Sequence, residues 1–596
     1  MGAWIALVLF GIVIVLVCIG VIAKLGLSSS ENNDNVSKGS IMVLDLQGPL
    51  IENEIPVDLN YYSLLQGNVE KSQTLSSLKS AIAAAKENEN IIAIYLKCQG
   101  VSAAPATLNS LRSSLMEFKS SGKKIIAYGE NYLMGDYYIA SCADKVYLNP
   151  AGRLILQGLG GVSIYFKGLC DKLGVEFQVT KVGTYKSAVE PYILPEMSAP
   201  ARAQLDTLYG NMWSIITEEI CQSRENLSPN KIDSLVSEDF IFIKDAKVVK
   251  EVGLVDALYY ERSMDSVINV ALGRKYDRDT NYVPSSLLAQ QQMNGISYSE
   301  KNQIAVLYAV GEIVDGGGSS EINYENLVPI IVKLADDKHI KGMVMRVNSP
   351  GGSVFGSDQI GEALDYFQSK GKTLAVSMGD YAASGGYWIS CHADRIFANP
   401  LTITGSIGIF GLIPNIQGLL NKIGVNPQMV ATNPEAQFPT LYKPMNQRQL
   451  DAMQTMVDDG YNQFVNRVAT GRKMSEAKVR RIGEGRVWDA VKALELGLVD
   501  QLGDLNEAIE WVAEKENIEN YGISVYPRFE SSWMDYLAGF QSSPFNSLLK
   551  DNYSDQISEI YLDLISRILF QNPIQAKMMP MRVGFGIDND IFVSLQ

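Results

Sequence analysis

The chain has 596 residues, 51 basic against 66 acidic side chains, a net charge of −15, six cysteines and only two histidines. At 46% apolar and 20% charged it is a globular, multi-domain chain, and its acidic balance argues against nucleic acid, whose phosphates need a basic footprint. Two histidines exclude most triad and metal chemistry, and the cysteines, without a C-x-x-C pair, read as small buried hydrophobes.

Gly2 to Ala23 carries no charge and is long enough, at 1.5 Å rise per residue, to cross a hydrocarbon core. It lacks the basic start, short apolar stretch and cleavage site of a signal peptide. Residues 1–24 are therefore expected to form an uncleaved transmembrane anchor, followed by a linker over 25–40. The nearest cations, Lys24 and Lys38, follow the span, which by the positive-inside count points to a cytoplasmic body.

The remainder repeats itself at a spacing of roughly 250 residues. Gly129-Glu130, Tyr137-Tyr138-Ile139, Ala143-Asp144 and Asn149-Pro150 return as Gly379-Asp380, Tyr387-Trp388-Ile389, Ala393-Asp394 and Asn399-Pro400. Gly253-Leu254-Val255-Asp256 returns as Gly497-Leu498-Val499-Asp500. Copy one is expected over 41–274 and copy two over 303–527, each opening with a strand-like run at Ile41 and Ile304. The Ser-, Gln- and Asn-rich stretch 275–302 reads as a linker.

Within copy two, strands are predicted at Gly342–Val347, Leu374–Met378 and Arg395–Ala398, with helices at Gln359–Gln368 and from Ser384 to Cys391. This alternation predicts an α/β fold with a largely parallel sheet in each copy. Gln449–Val468 reads as a long helix placed to pack on a neighbouring domain. The extension 528–596 has no counterpart in copy one; Ile557–Ile568 reads as an amphipathic helix, and packing, subunit, groove or membrane contact are all open to it.

The copies differ where chemistry is expected. Copy two has Ala382-Ala383-Ser384-Gly385-Gly386 before a helix, whereas Met134 fills the slot of Ser384 in copy one. A serine there faces the free N–H groups of a helix start, which favour developing negative charge; the plain alternative is a helix N-cap. Asn348-Ser349-Pro350-Gly351-Gly352-Ser353 follows the first buried strand, and paired glycines can turn their N–H groups into an oxyanion hole. The matching stretch of copy one, Cys98-Gln99-Gly100-Val101, has lost the pair.

Neither histidine suits Ser384. His392 lies two helical turns on, about 12 Å of rise away, and His339 sits in a charged loop. A lysine whose pKa burial lowers is the remaining common base. Copy one supplies Lys186 in Val182-Gly183-Thr184-Tyr185-Lys186-Ser187-Ala188, whereas Ala436 fills that slot in copy two. One copy holds the lysine without the serine and the other the serine without the lysine, as a single site assembled across both would require.

Val182–Pro191, Ala382–Ser390 and Thr404–Gly411 together resemble the motifs of the signal peptide peptidase A family in its long, tandem-domain form, and the resemblance covers essentially the whole chain. It implies tandem Clp protease/crotonase-like domains behind one N-terminal transmembrane helix, and a Ser/Lys dyad with Ser384 as nucleophile and Lys186 as general base. The N–H of Gly385 with that of Gly351 or Gly352 would form the oxyanion hole, and Ser406 is a candidate for orienting the lysine. No metal or organic cofactor is required. The family implies cleaved signal peptides as substrates, a homotetramer, and a catalytic body on the outer side of the bacterial cytoplasmic membrane, against the charge count. The competing readings are a tandem crotonase-fold acyl-CoA enzyme, a non-catalytic membrane scaffold, and a related membrane protease that partners stomatin-like proteins.

Overall fold

The structure, a computed structural model, describes residues 36–52, 73–275, 280–295, 301–316, 321–527 and 574–577. The runs Gly2–Ala23 and Ile557–Ile568 lie outside the described residues. Among the described residues no helix is long and apolar enough to cross a membrane.

Each repeat builds a parallel sheet from short strands, most of them covered on both faces, which is why they read as near-continuous apolar runs. In the first, Ser40–Ile51 lies beside Ile91–Ser102, then Lys124–Gly129, Lys145–Leu148 and Ala257–Leu258. In the second, Gln303–Val310, Ile340–Ser349, Thr373–Ala383 and Arg395–Ala398 take the same order. The predicted strands Gly342–Val347 and Leu374–Met378 lie inside longer ones. The predicted helix Gln359–Gln368 begins earlier, as Val354–Ser369, because Ser353 Oγ caps it by accepting the Gly356 N–H at 3.0 Å.

The duplication reappears as duplicated hydrogen bonds. The Tyr137 hydroxyl donates to the Leu254 carbonyl and that of Tyr387 to the Leu498 carbonyl, at 2.8 and 2.9 Å. Asp144 accepts the Ile125 N–H and Asp394 the Leu374 N–H. Asp256 and Asp500, which end the repeated Gly-Leu-Val-Asp stretch, accept from Val146 and Ile396. The polar stretch 275–302 holds the strand Tyr282–Pro284, paired with Ser40–Ile51, and the helix Ser285–Gly295, whose Leu288 and Ala289 enter the first core.

A third sheet spans both repeats. Its spatial order is Ile322–Asn323, Ile313–Val314, Gly351–Ser353, Ile574–Lys577, Phe410–Asn415 and Glu176–Lys181. Phe410–Asn415 pairs antiparallel with Glu176–Lys181, from Phe410 opposite Lys181 to Asn415 opposite Glu176. This pairing delivers the segment just before Lys186 to copy two. The long helix, observed as Gln447–Gly471, packs Phe464 on Trp388 at 4.8 Å and reaches the Lys181 carbonyl of copy one through Gln454.

Buried charges lock the repeats together. Arg346 of copy two donates to Glu52 of copy one at 2.7 Å and to Asp504 at 2.8 Å, and Asp504 also accepts from Lys79 and Ser110 of copy one. Burial works to raise Asp504, but Lys79 and Arg346 outweigh it and hold the carboxyl well below its ordinary range. Nearer the site, the N–H and hydroxyl of Thr107, in the first turn of helix Pro105–Ser120, both donate to Asp380 at 2.8 Å.

Replacing Arg346 by Met would leave Glu52 and Asp504 buried without their common partner. The expected cost is about 3–5 kcal/mol, read as a shift of the urea unfolding midpoint; a shift smaller than that of an exposed Arg481→Met control would contradict this role.

Candidate active site

Ser384 joins the strand Thr373–Ala383 to the short helix Gly385–Ser390, with φ +56° and ψ −116°. Such backbone costs a non-glycine residue on the order of 1–3 kcal/mol. It is held because the Ser384 N–H donates to the Gly405 carbonyl at 2.8 Å while its own carbonyl accepts from Tyr387 and Trp388. The side chain makes no capping bond, so the N-cap alternative does not account for this serine. Both Ser384 and the residue that meets it, Lys186, are buried.

Lys186 arrives on the loop after Glu176–Lys181. Its Nζ lies 2.8 Å from Ser384 Oγ, 3.1 Å from the Ser406 carbonyl oxygen and 3.1 Å from Ser406 Oγ. In its neutral form the amine has two N–H donors and one lone pair, so the two Ser406 oxygens can take the donors and leave the lone pair for the Ser384 hydroxyl. Burial pushes the amine well below the ordinary lysine range. The predicted pair therefore meets, and Ser406, itself at φ +53°, meets it too.

The paired glycines lie against Ser384. A Cβ built on Gly385 would stand 3.2 Å from the Gly352 nitrogen, and one on Gly352 would stand 2.0 Å from the Ile313 carbonyl oxygen. Only bare backbone fits there. The two predicted donors in the turn differ: the Gly351 N–H already donates to Ser349 Oγ at 3.2 Å, whereas Gly352 is the one that faces Gly385.

Copy one shows what replaces this arrangement. The N–H groups of Gly100, Val101 and Leu133 donate to the Asp136 carboxylate at 3.2, 2.9 and 3.0 Å. Burial raises Asp136 to about 6 despite those donors. The strand end and helix start that flank Ser384 in copy two are thus joined in copy one by a built-in anion, and Met134 in the serine's slot is buried.

The histidines stand apart from the pair. His392 bridges Asp365 and the Arg467 carbonyl at 2.9 Å each, and His339 is exposed. The residues missed in the sequence are Gly483-Glu484-Gly485-Arg486. Gly485, at φ +73°, leaves no room for a side chain, since its Cβ would lie 2.7 Å from Lys186 N and Cβ. The Glu484 carbonyl accepts the Tyr185 N–H at 2.9 Å, and Arg486 lies 4.9 Å over the Tyr185 ring and 4.2 Å over Trp488. The signal available in the sequence was the pair of glycines around Glu484, close after a helical stretch.

Residues 117–271 and 366–519 match the protein family described as Peptidase family S49, and residues 297–399 match the one described as Clp protease. The chain is 34% identical over 493 residues to "Protease 4" of Haemophilus influenzae, covering 81% of this chain and 80% of that one. It is 33% identical over 554 residues to "Protease 4" of Salmonella typhi, covering 89% and 87%. It is 31% identical over 276 residues to "Putative signal peptide peptidase SppA" of Enterococcus faecium, covering 44% of this chain and 78% of that one.

Two outcomes follow from the lysine's surroundings. Folding takes Lys186 from a protonated to a neutral amine, so the unfolded chain binds the extra proton and stability rises with pH, by about 1.4 kcal/mol per unit, between the depressed and ordinary lysine values. Urea unfolding of Lys186→Met should lack that slope; an identical slope in both proteins would show that the amine is charged when folded. Gly485→Ala should lower kcat by up to about 100-fold by displacing Lys186. Gly253→Ala, where φ is +90° but the nearest atom to a Cβ is 3.9 Å away, should leave kcat unchanged, which separates displacement of the lysine from backbone strain.

Proposed function

We infer that this chain, a serine protease belonging to peptidase family S49, cuts peptides with Ser384 as nucleophile and Lys186 as general base, one residue from each repeat. The observation that carries the reading is the 2.8 Å approach of a buried lysine amine to a buried serine hydroxyl.

Neutral Lys186 takes the Ser384 proton as Oγ bonds to the scissile carbonyl carbon, and the carbonyl electron pair moves onto oxygen. The Gly352 and Gly385 N–H groups receive that oxyanion, each worth about 3 kcal/mol in a water-excluded site. The tetrahedral centre collapses, the C–N bond breaks, and Lys186 hands its proton to the leaving amine. Water then gives a proton to Lys186 and its oxygen to the acyl carbon; the ester bond breaks, and Ser384 regains its proton. Through both half-reactions Ser406 holds the two remaining N–H groups, so the nitrogen lone pair keeps its aim.

The finer reading is a membrane-anchored peptidase that degrades released signal peptides. The uncharged run Gly2–Ala23 supports the anchor, with the body on the outer side of the cytoplasmic membrane. The name of the Enterococcus relative supports the substrate class. Assembly of several copies, four by the family resemblance, is supported by apolar side chains that the single chain leaves exposed, among them Val162, Ile164, Leu169, Ile423 and Val430.

Hydrolysis of a fluorogenic peptide and fluorophosphonate labelling test the dyad. Ser384→Ala should abolish labelling and lower kcat on the order of 10³-fold or more. Lys186→Ala should match that loss near neutrality and recover part of it at alkaline pH. Full activity in either variant would overturn the assignment.

A further inference from the structure

Beside the loop 483–486, a cavity of about 380 Å³ is lined by both repeats. Copy one contributes Gln204 and Leu208 of the helix Ala199–Ser223, and copy two contributes Arg486, Trp488 and Asp489. The volume sits near the lower end for small-molecule sites, roughly 300–1,000 Å³. None of these residues is a reacting group, yet the copy-two wall is hydrogen-bonded to what supports them. The Arg486 carbonyl accepts the Ser406 N–H at 2.7 Å. The strand Val487–Asp489 pairs antiparallel with Ile403–Gly405, and the Gly405 carbonyl accepts the Ser384 N–H at 2.8 Å.

The polar groups of this wall are left incomplete. Arg486 lies over the Tyr185 and Trp488 rings, and among the described residues no carboxylate pairs with its guanidinium. Stacking engages the faces of a guanidinium and leaves its N–H edge for an acceptor. Gln204 is only 6% exposed. Its Oε1 accepts the Val487 N–H at 2.9 Å, so the group it can offer the cavity is its Nε2 donor, which has no partner among the described residues. A buried donor without an acceptor is costly and rare, and this one calls for an acceptor from outside the chain. Asp489 is the converse case. It is buried, and its carboxylate accepts from uncharged donors, Asn211 Nδ2 and the Lys492 N–H, at 2.9 Å each. The Lys492 ammonium is taken by Glu495 at 2.5 Å. The cavity therefore holds a cationic edge with an amide donor and a carboxylate, each without a charged partner.

A molecule that suits both groups carries a carboxylate and an ammonium on a short frame, with an apolar side chain to set against Leu208 and Trp488. A peptide of two or three residues has that make-up, and a protease releases such pieces. We propose that this cavity binds short peptides by their two charged ends, the C-terminal carboxylate on Arg486 and Gln204 and the N-terminal ammonium on Asp489. The cavity, with a wall from each repeat, exists in the arrangement in which Lys186 meets Ser384. A peptide bound there favours that arrangement, so short peptides activate the enzyme from a site apart from the one where substrates are cut. The binding rests only on the chain being a protease; the activation rests on the dyad reading as well.

Calorimetric titration of the full Ser384→Ala chain with the dipeptide alanyl-leucine tests the binding without turnover. Acetylating the dipeptide's amine or amidating its carboxylate should weaken binding about tenfold or more, the factor carried by one hydrogen bond to a charged group. Asp489→Asn keeps an acceptor for the Lys492 N–H but removes the charge. It should weaken the free dipeptide by a similar factor and leave the acetylated one unaffected. Arg486→Gln should weaken the free dipeptide and leave the amidated one unaffected. No binding, or binding that ignores both substitutions, overturns the site. In the active chain, saturating dipeptide should raise the fluorophosphonate labelling rate of Ser384 about fivefold, the low end for coupled sites, and Asp489→Asn should remove that response. A slower or unchanged rate with binding intact overturns the activation, slowing being what a dipeptide in the substrate site would cause. If the fluorophosphonate never labels Ser384, the dyad reading fails and the activation with it, while the titration still reports whether the cavity binds.

Discussion

A lysine amine can accept a serine's proton only while it carries no extra proton of its own, and the whole arrangement depends on keeping Lys186 in that state. Removing it from water disfavours the ammonium, but a neighbouring carboxylate would restore it. The repeat interface does bury carboxylates, and each has other donors. Asp380 is held by Thr107, Asp504 by Lys79, Ser110 and Arg346, and Glu190, close to Lys186 in sequence, accepts the Ser198 hydroxyl and N–H. What remains around the amine is the neutral set of Ser384 and Ser406.

Such burial is beyond one repeat. The amine comes from copy one, its acceptors from copy two, and the loop around Gly485 closes over the lysine backbone. The division also relieves each copy of half the machinery. Copy one could lose its serine and its paired glycines, and its backbone donors took Asp136 as a permanent partner. Copy two could lose its lysine because the antiparallel pairing of Phe410–Asn415 with Glu176–Lys181 brings one in.

The parts legible in the sequence were those set by local pattern or by comparing the copies. Buried strands such as Ile340–Ser349 read as apolar runs, and Ser384 and Lys186 stood out because each is missing from the opposite copy. Gly485 did not, because its need for a bare backbone arises from a loop some three hundred residues away in the chain. The helix Ser285–Gly295 was hidden for a related reason: it lies in a polar stretch, and its Leu288 and Ala289 are buried by packing into the first core. The spanning sheet was equally unreadable, since its strands are short pieces from three distant segments.

The separation of Lys186 and Ser384 by 198 residues also bears on how the protein is made. Ribosomes deliver the lysine first, and at roughly 5–20 residues per second the serine follows about 10–40 s later. During that interval the nascent chain carries the lysine without the serine it meets, and an early-terminated product never gains that serine. A protease whose two reacting groups lay on one repeat would be able to cut its surroundings, and its own unfinished remainder, before synthesis ended. On the proposed dyad, completion of the second repeat is what turns the chain on.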